Sequence, residues 1–319
     1  MLNHILVPLD GSLLAECVLS HTITLAQVFD THLTLLRVVE RDQSTGLKRA
    51  IDPLQWQIRK VEAGVYLDSV VARLNRIGLQ AEKIILEGLP QERIIEFTRD
   101  RGIDMIIIST HGQSGLSGWN VSSVVQKVIL HAHVPMMIVR AHASPATDVA
   151  QMSYQRVLVP LDGSRRAEFA LPLAKKIASF HNSQLLLVHA VVKPEIPRHT
   201  PFSEEERQLV DRLTKLNQMR AGEYLKRLQG QLSPDVETRI IVGDVPAASL
   251  QDFVAQENVD LVVLSAHGYT GGTRWPYGSI ALNFIAYGTT PLLIVQDLSS
   301  GEMERALARL IATGQPKGH

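Results

Sequence analysis

One nine-residue string occurs twice in this chain. His4-Ile5-Leu6-Val7-Pro8-Leu9-Asp10-Gly11-Ser12 returns as Arg156-Val157-Leu158-Val159-Pro160-Leu161-Asp162-Gly163-Ser164, with seven of nine positions identical. Self-similarity at so long a distance is duplication of a whole domain, not the short period of a solenoid. The copies stay in step beyond the string. Ala15-Glu16 matches Ala167-Glu168, Leu33–Val38 matches Leu185–Ala190, and the Ala63–Leu67 stretch matches Ala221–Leu225. Each half must therefore fold as a unit of its own, and a chain of 319 residues is long enough for two cores.

Within each half, apolar runs alternate with helical patterns. Ile5–Val7 is a short apolar run ahead of a Pro-Leu-Asp-Gly turn, hence a buried strand. Ser12 is placed to cap a helix over Leu13–Phe29. Leu33–Val39 is almost continuously apolar, as parallel strands covered on both faces are. A helix over Pro53–Ile77 follows, with Ile58, Val61, Val65, Leu67, Val70, Val71 and Leu74 as its apolar stripe and Gly78 as its C-cap. Ala81–Glu87, Met105–Ser109 and Met136–Arg140 read as strands, and Pro90–Arg101 and Ser123–Ala132 as helices. The order β-α-β-α-β-α-β-α-β predicts two tandem Rossmann-like α/β domains, each an open five-stranded parallel sheet with helices on both faces. The expected boundaries are 1–142 and 154–297, with a linker at 143–153 and a tail at 298–319.

In such a sheet a ligand sits beyond the carboxyl ends of the strands, where the strand order reverses. Three distant stretches should meet there in the second half: the Pro160–Ser164 turn, His189-Ala190-Val191, and the loop from Ser265 to Ser279. That loop carries Gly268, Gly271, Gly272 and Gly278 and runs into a helix start, a combination suited to phosphate. Its twin spans Asp104–Ser123. Asp162 and Asp10 could accept a hydrogen bond from a base or ribose, or could simply organise their Asp-Gly-Ser turns. His111 and His267 precede loop glycines, with no acid beside either in sequence, and are read as loop-shaping. Asp104 and Asp260 lie at the far end of their strands and are read as capping. Trp119 and Trp275 are read as packing anchors, and Arg274 as a phosphate partner or an exposed loop arginine.

This constellation resembles the universal stress protein family, present as two copies from His4 to Val295. That family's nucleotide signature is Gly, two residues, Gly, nine residues, Gly, then Ser or Thr. Ser265, Gly268, Gly278 and Ser279 answer to it with three of four positions fitting. Ser109, Gly112, Ser122 and Ser123 answer with two. The resemblance implies that Asp162 and Asp10, after Pro160 and Pro8, hold the adenine side of a ligand, and that Ala190 and Val38 lend it backbone atoms. It implies ATP or another adenine nucleotide, with Mg or Mn held by the phosphates and no metal site from protein alone. It also implies that paired domains pack through their fifth strands. Ser122 puts a Cβ where the signature has glycine, and is strained if that backbone needs positive φ.

The 32 basic and 32 acidic residues balance, which argues against a general attraction to nucleic acid or anionic membrane. Cys17 is the sole cysteine, so no internal disulfide forms, and it is read as a small core residue. No signal-like or bilayer-spanning apolar run is seen, so the expected location is cytoplasmic. No P-loop, dinucleotide fingerprint, zinc motif or hydrolase elbow is present. Without a nucleophile or base, at most weak ATP hydrolysis is expected. The expected function is a stress-response regulator that binds nucleotide better in its second half, with a protein partner or homodimer open. The alternative is an interaction scaffold of the same fold that binds none.

Overall fold

The computed structural model of the chain describes residues 2–40, 53–112, 121–141, 152–194, 203–232, 235–269 and 277–297. Two compact units divide it, 1–153 and 154–319. In the first, the elements are β1 (His4–Pro8), α1 (Leu19–Phe29), β2 (His32–Val39), α2 (Pro53–Arg76), β3 (Ala81–Glu87), α3 (Pro90–Asp100), β4 (Met105–Ser109), α4 (Ser123–His131) and β5 (Met136–Val139). The second repeats them as β6 (Arg156–Leu161), α5 (Leu171–His181), β7 (Gln184–Val192), α6 (Glu204–Leu232), β8 (Glu237–Gly243), α7 (Pro246–Gln256), β9 (Leu261–Ser265), α8 (Ser279–Tyr287) and β10 (Leu292–Val295).

The strand order in the first unit is β3-β2-β1-β4-β5, and in the second β8-β7-β6-β9-β10, with these neighbours parallel. Right-handed crossovers from β1 through β2 to β3 put α1 and α2 on one face, and the return to β4 and β5 puts α3 and α4 on the other. The central strands are buried on both sides, which explains their unbroken apolar runs. The order reverses between β1 and β4, and between β6 and β9, so the crevice opens at the carboxyl ends of those strands. At the opposite end, Asp104 Oδ2 accepts from the Asn3 and His4 N–H groups at 2.7 and 3.1 Å. Asp260 Oδ2 does the same for Gln155 and Arg156 at 2.6 and 2.9 Å. These aspartates set the register of the first strand, the structural role expected of them.

Two expectations need correction. The helix after β1 does not start at Leu13. Ser12 Oγ accepts from the Ala15 N–H at 3.1 Å and caps a tighter 3₁₀ turn, Ala15–Val18, which leads into α1. On α2, the buried stripe is Ala63, Leu67, Val70 and Leu74, while Ile58, Val61 and Val65 are exposed. At about 100° per residue Ile58, Val61 and Val65 lie on the face opposite Ala63, Leu67, Val70 and Leu74, so they point away from the sheet. Gly78 does close α2, at φ +79, with the Leu79 N–H reaching Leu74 O at 3.0 Å.

A titratable group lies deep in the core of the first unit. His21, on α1, is buried, and burial pushes its imidazole down to about 4. The second unit has Leu173 at the matching position. A histidine held neutral by the fold stabilises above its unfolded value of 6.5, and that contribution is lost as pH falls toward 4. We expect the native first unit to lose about 2 kcal/mol between pH 7.5 and pH 5 from this residue. Urea unfolding at both values should show that loss shrinking in His21→Leu. An equal loss in the variant would assign the acid sensitivity elsewhere.

Candidate functional site

Both units build the crevice from the same joint. The turn after the first strand needs a left-handed glycine, Gly11 at φ +81 and Gly163 at φ +86. That turn aims an aspartate back across the strand ends. Asp10 Oδ1 accepts from the Ser12 N–H and hydroxyl at 3.0 and 2.6 Å. Asp162 Oδ1 accepts from the Ser164 N–H at 3.0 Å, and Asp162 Oδ2 accepts from the Tyr269 N–H. A Cβ added at Gly112 would overlap the Asp10 carboxylate, and one at Gly268 would overlap that of Asp162. At these two positions glycine lets the loop lie on the aspartate, and any side chain would push the carboxylate aside.

Gly278 is of a different kind. It precedes α8 in extended backbone, φ −74 and ψ 167, and Ser122 precedes α4 in nearly the same conformation, φ −66 and ψ 155. The condition under which Ser122 would be strained is not met. A Cβ on Gly278 would sit in ordinary contact, nearest to Ala266 O at 3.5 Å. The two positions differ instead in what they do to the helix. Ser122 Oγ accepts from the Val125 N–H at 3.4 Å and so caps α4 from within. Gly278 has no side chain with which to cap α8.

The remaining sequence-derived residues gather at the same end. Pro8 and Pro160 end or nearly end the first strand, Val38 and Ala190 lie half-buried near the end of the second, and Ser123 and Ser279 open their helices. Ser109 and Ser265 close the fourth strand but differ in bonding. Ser109 Oγ lies 2.8 Å from His111 O and 3.1 Å from Leu14 O, and accepts from the Cys17 thiol at 3.4 Å. Burial pushes the Cys17 thiol up, opposed by that bond, as befits an inert packing residue. Ser265 Oγ is buried without a hydrogen-bond partner among the described residues. The calls on Trp119, Trp275, Arg274 and the tail fall outside the described residues.

Several groups escaped the sequence reading. Arg37 and His189 occupy matching positions on β2 and β7, beside Asp10 and Asp162. Burial pushes both below their ordinary values, and the neighbouring aspartate pushes back. The largest omission is Asp297, after β10. Its Oδ1 accepts from the His267 N–H at 3.1 Å and faces His267 Nδ1 at 2.8 Å, with both side chains buried. Arg166 Nε stands 3.6 Å from Asp297 Oδ2. In the first unit the loop histidine is served differently: Thr110 Oγ1 lies 3.1 Å from His111 Nδ1 and accepts from the Ala141 N–H at 3.2 Å. Laying the repeats over one another, with Ala141 against Asp297 and Leu14 against Arg166, would have flagged both positions.

The sequence profile of the universal stress protein family matches residues 1–140 and 153–296. A universal stress protein of Mycobacterium tuberculosis is 24% identical over 310 residues, covering 92% of this chain and 94% of the relative. One from Methanocaldococcus jannaschii is 30% identical over 137 residues, covering 43% of this chain and 81% of the relative. Among solved structures, a universal stress protein from Archaeoglobus fulgidus aligns with TM-score 0.64 at 19% identity, covering 93% of this chain and all 100% of that one. No helix among the described residues is long and apolar enough to cross a membrane.

Proposed function

The chain belongs to the universal stress protein family, and on that footing we propose that it is a stress-response regulator whose second unit binds ATP or another adenine nucleotide better than its first. The observation that carries this reading is the pair Gly278 and Ser122. Gly278 has an unstrained backbone and room for a Cβ, so the fold does not demand glycine there. Its absence of a side chain leaves the first turn of α8 without a cap from that position, and such N–H groups suit phosphate oxygens. In the first unit, Ser122 spends its hydroxyl on that turn.

The residues present fit a nucleotide. The first-turn N–H groups of α8 and the Ser279 hydroxyl would hold phosphates, and the buried Ser265 hydroxyl, without a partner among the described residues, would supply a further polar contact. Asp162 and the Ala190 backbone would face the base, with Asp162 already fixed by Ser164 and Tyr269. A bound nucleotide would bring charge and a divalent cation, Mg or Mn, carried on its phosphates. Among the described residues no three His, Cys, Asp or Glu side chains cluster to hold a metal on their own. The regulatory output would be a change in what the loop and crevice present to a protein partner or a second copy of the chain.

Purified protein, denatured and analysed for released small molecules, tests the reading directly. We expect adenine nucleotide at about one per chain, from the one site argued to be competent. Two per chain would overturn the difference between the units. None, together with no binding in a titration with Mg–ATP, would leave the scaffold reading in its place.

A further inference from the structure

The two units differ by a matched pair of changes at one spot. The first unit has Leu14 and Ala141 where the second has Arg166 and Asp297. In the second unit these residues meet, Arg166 Nε to Asp297 Oδ2 at 3.6 Å. Asp297 is fully buried, and Oδ2 takes no hydrogen bond among the described residues. Burying a carboxylate is costly unless cations and donors surround it.

Holding the loop histidine does not explain that cost. In the first unit the atom facing His111 Nδ1 at the matching place is the neutral hydroxyl of Thr110, 3.1 Å away, where the second has a carboxylate. What the carboxylate adds is a seat for a guanidinium. Asp297 ties the loop through two atoms of His267 and draws Arg166 to the same place. His267 in turn lies against the start of α8, since its Cα is 3.6 Å from where a Cβ on Gly278 would be. Arg166 remains one-third exposed, 33%, so its charge is seated and still reaches solvent. It follows the Asp162 turn by four residues and is positioned from below by Asp297.

We propose that Arg166 is a phosphate-contacting residue of the second unit, positioned by Asp297, and that it selects nucleoside di- and triphosphates over monophosphates. This rests on the reading that the second unit binds adenine nucleotide. A guanidinium meets phosphate oxygens through charge-assisted hydrogen bonds, and each added phosphate raises the charge it meets. The first unit, with Leu14 and Ala141, has no such contact and no such preference.

The test is a titration of the full-length protein with Mg–ATP and with AMP, in the native chain, Arg166→Leu and Arg166→Lys. Arg166→Leu installs the residue found at position 14 on a partly exposed turn. We expect its ATP affinity to fall about ten- to hundredfold with AMP affinity within about threefold of native. Arg166→Lys should keep part of the ATP preference. Asp297→Asn, nearly isosteric, should lower the ATP-to-AMP ratio in the same direction; an Asp297→Asn chain whose thermal midpoint drops while that ratio holds would count against the positioning role. Equal losses for ATP and AMP in Arg166→Leu, or no loss, would overturn the proposal. If the native chain binds neither nucleotide, the failure lies with the nucleotide reading itself.

Discussion

Replacing Gly278 with valine is expected to lower adenine-nucleotide affinity by about a hundredfold or more and to leave the second unit folded. The backbone at Gly278, φ −74 and ψ 167, is open to any residue, and the nearest atom to an added Cβ is 3.5 Å away. The stability cost should be about 1 kcal/mol, from a poor residue at the N-cap. Binding suffers more, because a branched side chain stands over the helix N–H groups. Two charge-assisted bonds at roughly 1.5–3 kcal/mol each exceed a hundredfold in affinity. Gly278→Ser is the graded comparator. It reproduces the first unit, where Ser122 caps Val125, and should cost about tenfold by filling one donor with the protein's own hydroxyl. Calorimetric titration beside circular dichroism gives the answer, and native affinity in a folded Gly278→Val chain would remove α8 as the phosphate seat.

Gly268→Ala acts on the fold first. Its Cβ would overlap the Asp162 carboxylate, and neither the turn nor the loop can move without giving up a bond. We expect the second unit to lose about 1–2 kcal/mol, the worth of the bonds the carboxylate gives up in moving aside. Asp162→Ala alone should cost about 1–2 kcal/mol through the lost Ser164 and Tyr269 contacts. In combination the costs should not add, because removing the carboxylate clears the space that the alanine needs. Chemical denaturation of the four chains measures this coupling. Strict additivity would show that glycine and aspartate are not partners.

The parallel α/β architecture was legible because its causes are local. Continuous apolar runs, turn residues and a copied order of elements are visible without tertiary contacts, and strands such as Ala81–Glu87 fall where the pattern puts them. The outward face of α2 misled, because Ile58, Val61 and Val65 repeat at helical spacing on the side opposite the buried stripe, and apolar spacing alone does not say which side meets the sheet. The site was legible in its glycines and less so in their purposes. Gly268 and Gly278 look alike in sequence, yet one lies on a carboxylate 106 positions earlier while the other has room for a Cβ among the described residues. Asp297 was hidden for the same reason: its partners are 30 and 131 positions away.

The aspartate–glycine joint has a consequence for how such a chain can change over time. The crevice is closed by the protein's own carboxylate, in Asp10 against Gly112 and in Asp162 against Gly268, so its shape is assembled before any nucleotide arrives. On the proposed reading, a mutation at the helix-capping position would alter occupancy without unravelling the unit. Duplication then supplies two scaffolds under the same folding constraint but free to drift apart in what they hold. Sensitivity to a small molecule would then be a removable attachment, and a half that shed it would persist as a well-formed domain available for another use.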